Sequence, residues 1–313
     1  MGTRSVRTVL YTVGFVAGLL LFGVQAWVGY QSYREHQHCL VRPGYLFGAL
    51  VLYVMAYFAQ MGAWAVIMRF LQAPLAPRHV VGVYMLSFLP RYIPGTVWGY
   101  LSRNEWLAQI YRVPYATSTV SSLLEVTSLL LAAFSVSAIY VVDDRWKVAT
   151  AAGCVILLWL NWRLLPEIAG RVGRNRFRAE PVRQNWLWLW LLGNILYGVF
   201  WTLHGAAILI TSRALCGDAS IDLATAVFAA SMSWAIGLLV VFVPAGLGVR
   251  ELTLASLLWR HAGVPTGQAN MIAVISRVVL IVAELMVLLL GSHFHLQTWW
   301  GKRERAAKLR SQE

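Results

Sequence analysis

The sequence predicts an all-α polytopic membrane bundle with about six transmembrane helices plus two re-entrant, broken-helix hairpins. Three observations predict it. Hydrophobic residues make up 59% of the 313-residue chain and charged residues only 12%, whereas a soluble domain carries about 45–50% and about 25%. The apolar residues fall in runs of the roughly 20 residues that a bilayer's hydrocarbon core requires. Two further apolar stretches are interrupted by Pro and Gly near their middles. The longest polar stretch, around 163–184, is too short for a soluble domain of ordinary size. This composition excludes a cytosolic enzyme, a secreted disulfide scaffold and a nucleic-acid binder.

The first run, 8–30, follows Arg4 and Arg7 and contains the weak cleavage pattern Val24-Gln25-Ala26. Its apolar length suffices to span, so it is read as an uncleaved first helix. A second span is expected over 44–70. The stretch 79–111 then reads SFLPRYIPGTVWGYLSRNEW across its middle, with Pro90, Pro94, Gly95 and Gly99. Proline removes a backbone donor and glycine permits non-helical dihedrals, so the helix should break there. Spans follow over 116–141, 147–165 and 185–211. The stretch 223–261 breaks in the same manner at VVFVPAGLGVRELTLASLLW, with Pro244, Gly246 and Gly248, before a last span over 268–292. Broken backbone at membrane depth is tolerated only where it is buried in protein or lines a cavity. Each interrupted stretch is therefore read as a hairpin of two half-helices; the alternative is that one or both cross fully.

Charge placement orients these elements. The net charge of +13 concentrates at the ends of apolar runs, in Arg163 to Arg183 and in Lys302, Arg303, Arg305, Lys308 and Arg310. With Arg4 and Arg7 inside and both stretches re-entrant, the two richest basic segments fall on the cytoplasmic side, as do both termini. Cys39 and Cys216 then share the outer side, which permits but does not specify a disulfide. Trp186, Trp188, Trp190, Trp299 and Trp300 flank spans as interfacial anchors.

The order of break, half-helix, Val-Pro and charged span occurs twice. Pro94 is followed by Val113-Pro114 and a span bearing Glu125, and Pro244 by Val264-Pro265 and a span bearing Arg277. Three spans separate the hairpins, so the copies would be inverted, an architecture known in transporters. The chain is thus read as one membrane domain, 1–313, with halves 1–141 and 147–292 and a basic tail 293–313.

The candidate site residues lie at the breaks. Pro244, Gly246 and Gly248 end one half-helix and start another, whose free N–H groups attract anions. Arg250 adds a fork of donors suited to phosphate, although it could equally pair with a carboxylate and tie two helices together. Pro94, Gly95, Gly99, Arg103 and Glu105 offer the same parts more loosely. Ionisable groups inside spans are costly, which singles out Glu125, Arg277 and Glu284, with Glu125 and Arg277 expected to form a structural or gating pair. His204 is read as an interior histidine. No GxSxG, HExxH, CxxC or Walker A motif is present, so neither metal nor cofactor is expected, and an ATP-driven pump is excluded for this chain alone.

VPAGLGVREL, followed by GVP and an Arg-bearing last helix, resembles the lysylphosphatidylglycerol synthase transmembrane (flippase) family, in its branch without the soluble synthase domain. The family's PGGxGxRE pattern is matched by Pro244, Gly246, Gly248, Arg250 and Glu251, with Ala245 in place of a glycine. Its first-half pattern is matched by Pro94, Gly95, Gly99 and Arg103, with Tyr100 in place of an acidic residue and spacing one longer. The Glu-Arg pair of the next helix stands here as Glu125-Val126. The resemblance implies a module that moves a charged phospholipid, or a polyprenyl-phosphate-linked glycolipid, between leaflets of the cell membrane without aminoacylating it. It leaves open a separate synthase or glycosyltransferase as partner, and self-association. Two other classes stay open, an integral-membrane glycosyl or lipid transferase and a non-catalytic partner of such an enzyme.

Overall fold

A computed structural model of the chain describes residues 3–35, 41–93, 98–141, 143–172, 185–216, 221–240 and 243–310. Among these residues all regular structure is helical, with ten α-helices and two short 3-10 turns. Six helices contain an apolar span long enough to cross a membrane: α1 (Thr3–Glu35), α2 (Pro43–Phe70), α5 (Tyr115–Val141), α6 (Asp144–Val172), α7 (Trp186–Cys216) and α10 (Thr266–Arg310). They coincide with the six predicted runs. The chain is a multi-pass membrane protein.

The two interrupted stretches form α3 (Pro77–Leu86) with α4 (Trp98–Tyr111), and α8 (Leu223–Leu239) with α9 (Val249–Ala262). These four helices have 10, 14, 17 and 14 residues. At 1.5 Å per residue they reach about 15–26 Å, each less than the roughly 30 Å of hydrocarbon. The first break carries the 3-10 turn Leu89–Tyr92, where Pro90 has no N–H to continue a helix. In the second, Ala245, Gly246 and Gly248 all take positive φ (50°, 66° and 81°) around the turn Pro244–Gly246. Two glycines make that left-handed path accessible.

Both α4 and α9 stop in one way. A residue with positive φ, Arg112 at 57° or Gly263 at 65°, precedes a valine. The valine N–H then donates to the carbonyl six residues back, Val113 to Leu107 (3.1 Å) and Val264 to Leu258 (3.4 Å). Pro114 and Pro265 follow and lead directly into α5 and α10.

Lipid tails are as apolar as leucine, so helices in a bilayer associate through close packing rather than hydrophobic transfer. Glycines permit that approach here. A Cβ on Gly205 of α7 would lie 2.4 Å from Val227 Cγ2 of α8, and one on Gly291 of α10 would lie 2.6 Å from Met85 Cβ of α3. α2 packs along α7, α1 and α3 pack on α10, and α8 lies against α5, α7 and α9. α6 is largely unburied and contacts mainly α5. The first helix is part of the bundle: Gln25 Nε2 donates to Gly248 O (2.9 Å), fixing α1 to the second break. The two 3-10 turns touch each other, so the breaks meet inside the protein.

Pro94, Gly95, Cys39 and most of the basic 163–184 segment lie outside the described residues, as does the Cys216 side chain. Trp64, Trp162 and Trp201 are fully buried core residues rather than interfacial ones.

Candidate functional site

Where the breaks meet, a cavity of about 70 Å³ opens, with room for several waters. Three guanidiniums line it. Arg91 comes from the first break, Arg250 from the first turn of α9 and Arg277 from the first third of α10. The carboxylate in the same wall is Glu284, seven residues after Arg277 and so on the same face of α10. Phe200, His204 and Trp234 form an aromatic side from α7 and α8.

Each arginine is held differently. Arg91 stacks between Phe88 (4.3 Å) and Tyr100 (5.7 Å), and its buried Nε and Nη2 have no hydrogen-bond partner among the described residues. Arg250 makes neither hydrogen bond nor ion pair with any described residue, and it is partly exposed to the cavity. Its aliphatic stem is clamped at the break. A Cβ on Gly237 would fall 2.2 Å from Arg250 Cγ, and one on Gly246 would fall 3.0 Å from the same atom. Arg277 lies 3.3 Å from Glu251 Oε1 and donates from Nη2 to the Ala245 carbonyl (3.3 Å), which fixes α10 to the turn. Glu284 accepts from Tyr57 of α2 (2.6 Å) and from Tyr92 of the first break, closing one edge of the cavity.

The sequence placed an anion site at the amide-rich end of α9. The amides there are largely used within the turn. Gly246 N–H donates to Val243 O (3.2 Å), Leu247 N–H to Pro244 O (3.0 Å) and Gly248 N–H to Glu251 Oε2 (2.5 Å). Glu251 thus caps its own helix and neutralises Arg277; it does not line the main cavity. The positive charge facing the cavity comes from side chains instead.

The expected Glu125–Arg277 pair does not form. Glu125 pairs with Arg103 of α4, and Arg277 with Glu251 of α9. All four side chains are buried, and each pair joins a half-helix to the span that follows it. A buried charge left unpaired is strongly destabilising, so each of these arginines pairs with the carboxylate that packing brings within reach, here one in its own half. Arg103 is therefore not a cavity residue. It sits under Trp64 (4.8 Å), Tyr84 (5.1 Å) and Tyr100 (5.4 Å), while Tyr84 and Ser122 complete the Glu125–Arg103 network. Glu105 is exposed on the other side of α4, where it accepts from Gln109 Nε2. Gly99 serves packing, since a Cβ there would lie 2.6 Å from Ser87 O and 2.7 Å from Arg91 Cγ.

Of the expected residues, Arg250, Arg277 and Glu284 converge on the cavity, with Pro244, Gly246 and Gly248 shaping the turn beside it. Sequence reasoning passed over Arg91, Tyr57 and Tyr92, and marked Tyr100 only as standing in place of an acidic residue. Arg91 had a signal: an ionisable residue between Pro90 and Pro94 in an apolar stretch. The tyrosines had none, because aromatic residues are common in spans.

The family model described as lysylphosphatidylglycerol synthase TM region matches residues 9–291. Comparison with curated proteins and with solved structures gives no match.

Proposed function

The chain belongs to the lysylphosphatidylglycerol synthase transmembrane family, a lipid-related membrane family, and from that premise we propose that it moves an anionic or zwitterionic phospholipid or polyprenyl-phosphate-linked lipid between leaflets. The observation that carries this reading is the cavity at the meeting of the two breaks, where Arg91, Arg250 and Arg277 face Glu284. Three guanidiniums against Glu284 and the Glu251 behind Arg277 leave one positive charge over. Guanidinium forks match phosphate oxygens in charge and geometry. A headgroup phosphate would take up Arg91, whose Nε and Nη2 have no acceptor among the described residues, and Arg250, which faces the same cavity. Acyl chains would remain in the bilayer.

The breaks are read as tips of re-entrant hairpins, which the short lengths of α3, α4, α8 and α9 support. The halves 1–141 and 147–292 are read as inverted copies. Support comes from the matching ends of α4 and α9 and from the two buried ion pairs, whose signs are reversed between halves. Tyr57 and Tyr92 on Glu284 then act as a clasp between the copies, released as access alternates. The protein resides in the cell membrane with both termini cytoplasmic, following the positive-inside distribution.

The test is Arg250→Ala in proteoliposomes. Transbilayer movement of fluorescent phospholipid should be lost while folded yield and melting temperature stay at wild-type values, because the Arg250 guanidinium has no hydrogen bond or ion pair among the described residues. Wild-type transport in that variant defeats the reading.

A further inference from the structure

Beside the main cavity, sharing His204, Arg250 and Arg277 with its wall, lies a second chamber of about 20 Å³. Its wall includes Tyr53, His204, Ser276, Arg250, Glu251 and Arg277. We propose that this chamber binds one small monovalent inorganic anion of halide size.

Size, donor chemistry and charge converge on that ligand. A space of this volume suits one particle of water or halide size better than a phosphate ester. Arg277, His204 and Ser276 are 4%, 4% and 3% exposed. His204 Nδ1 and Arg277 Nε and Nη1 have no hydrogen-bond partner among the described residues. The Arg277 Nε contact to Glu251 is an ion pair without hydrogen-bond alignment. The wall therefore presents guanidinium and hydroxyl donors and an imidazole nitrogen without a partner. Glu251 is its only carboxylate among the described residues, and that group already serves the Gly248 N–H and Arg277. With Glu284 in the wall of the adjoining cavity, the three guanidiniums still carry one positive charge more than the two carboxylates while that cavity holds no phosphate. Buried donors without acceptors are costly, and a surplus cation is costlier. A water molecule would satisfy donors but leave the charge; one halide satisfies both. A cation is disfavoured by the two guanidiniums.

The test uses the purified chain in detergent micelles, with chloride replacing gluconate at constant ionic strength. Chloride and bromide should raise the melting temperature saturably by about 2–4 °C, and gluconate should not. In Ser276→Ala the apparent chloride affinity should fall about tenfold, as expected for one lost hydrogen bond to an ion. Arg277→Gln should remove the chloride effect entirely; Ser276→Ala decides the matter if that variant fails to fold. Crystals grown in bromide should show an anomalous peak between Arg277 and His204. No halide-dependent shift in the wild type, or an unchanged shift in Ser276→Ala, overturns the proposal, as does a chamber without the bromide peak. None of these readouts depends on lipid movement.

Discussion

Ala245 carries a glycine's conformation. Its φ of 50° and ψ of 21° lie in the left-handed region, which costs an L-residue with a Cβ on the order of 1 kcal/mol. The family pattern has glycine here, and the geometry supplies the reason. Ala245→Gly should raise the unfolding free energy by about 0.5–1 kcal/mol in a chemical-denaturation series, because at positive φ the relieved strain exceeds the flexibility gained by the unfolded chain. Gly237 has the opposite requirement. Its Cβ would strike the Arg250 stem at 2.2 Å, so Gly237→Ala should displace that guanidinium and reduce lipid movement several-fold while the protein still folds. For the buried Arg103–Glu125 pair, Glu125→Gln leaves an uncompensated guanidinium. A loss of about 3–5 kcal/mol is expected in thermal or denaturant unfolding. The sequence identified these charged residues as expensive but not their partners, because a partner is chosen by distance in space.

At the scale of elements, the breaks are explained by local chemistry and the helix starts by caps. Asp222 precedes α8 and accepts from the Thr225 N–H (2.6 Å). That side chain lies outside the membrane-spanning segments, and hydrogen bonding to Thr225 holds its carboxyl below the usual aspartate range. The folded-state pKa is depressed, so the stabilisation is complete above the unfolded value, about 4. It is lost as pH falls through the lower folded value. Asp222→Ala should cost about 1 kcal/mol at neutral pH and nothing once the carboxyl is protonated in both states, as a melting series against pH would record. The six long helices and both interruptions were legible in sequence because length and Pro/Gly content are local quantities. The exact use of the turn amides was not, since a residue three positions on, Glu251, takes the donor that helix-end reasoning assigns to a ligand.

At the scale of the molecule, α10 bears the contacts that join the parts. It carries Arg277 against the second break and Glu284 against Tyr57 and Tyr92 of the first half. Removing one phenol should loosen that clasp without unfolding the bundle. Tyr92→Phe is therefore expected to alter the transport rate about twofold or more at unchanged melting temperature, measured in the same proteoliposome assay. Topology has its own check. A membrane-impermeant maleimide should label Gln37→Cys in intact cells and Ser311→Cys only after permeabilisation, each placed in a background lacking native cysteines; the reverse pattern would invert the orientation.

Apolar run lengths and the placement of Pro and Gly are enough to say that the chain crosses a membrane as helices, where those helices run and where two apolar stretches break. Hydrophobic length, proline and glycine act through the residue that bears them and its immediate neighbours. Which charges face the shared cavity and which pair off away from it depends on packing between distant segments. Arg103 and Arg91 lie twelve residues apart in one stretch, yet packing against Trp64 and Glu125 sequesters the first and leaves the second lining the cavity. At low dielectric, a shift of a few ångströms toward a carboxylate decides between a structural ion and one available to a ligand.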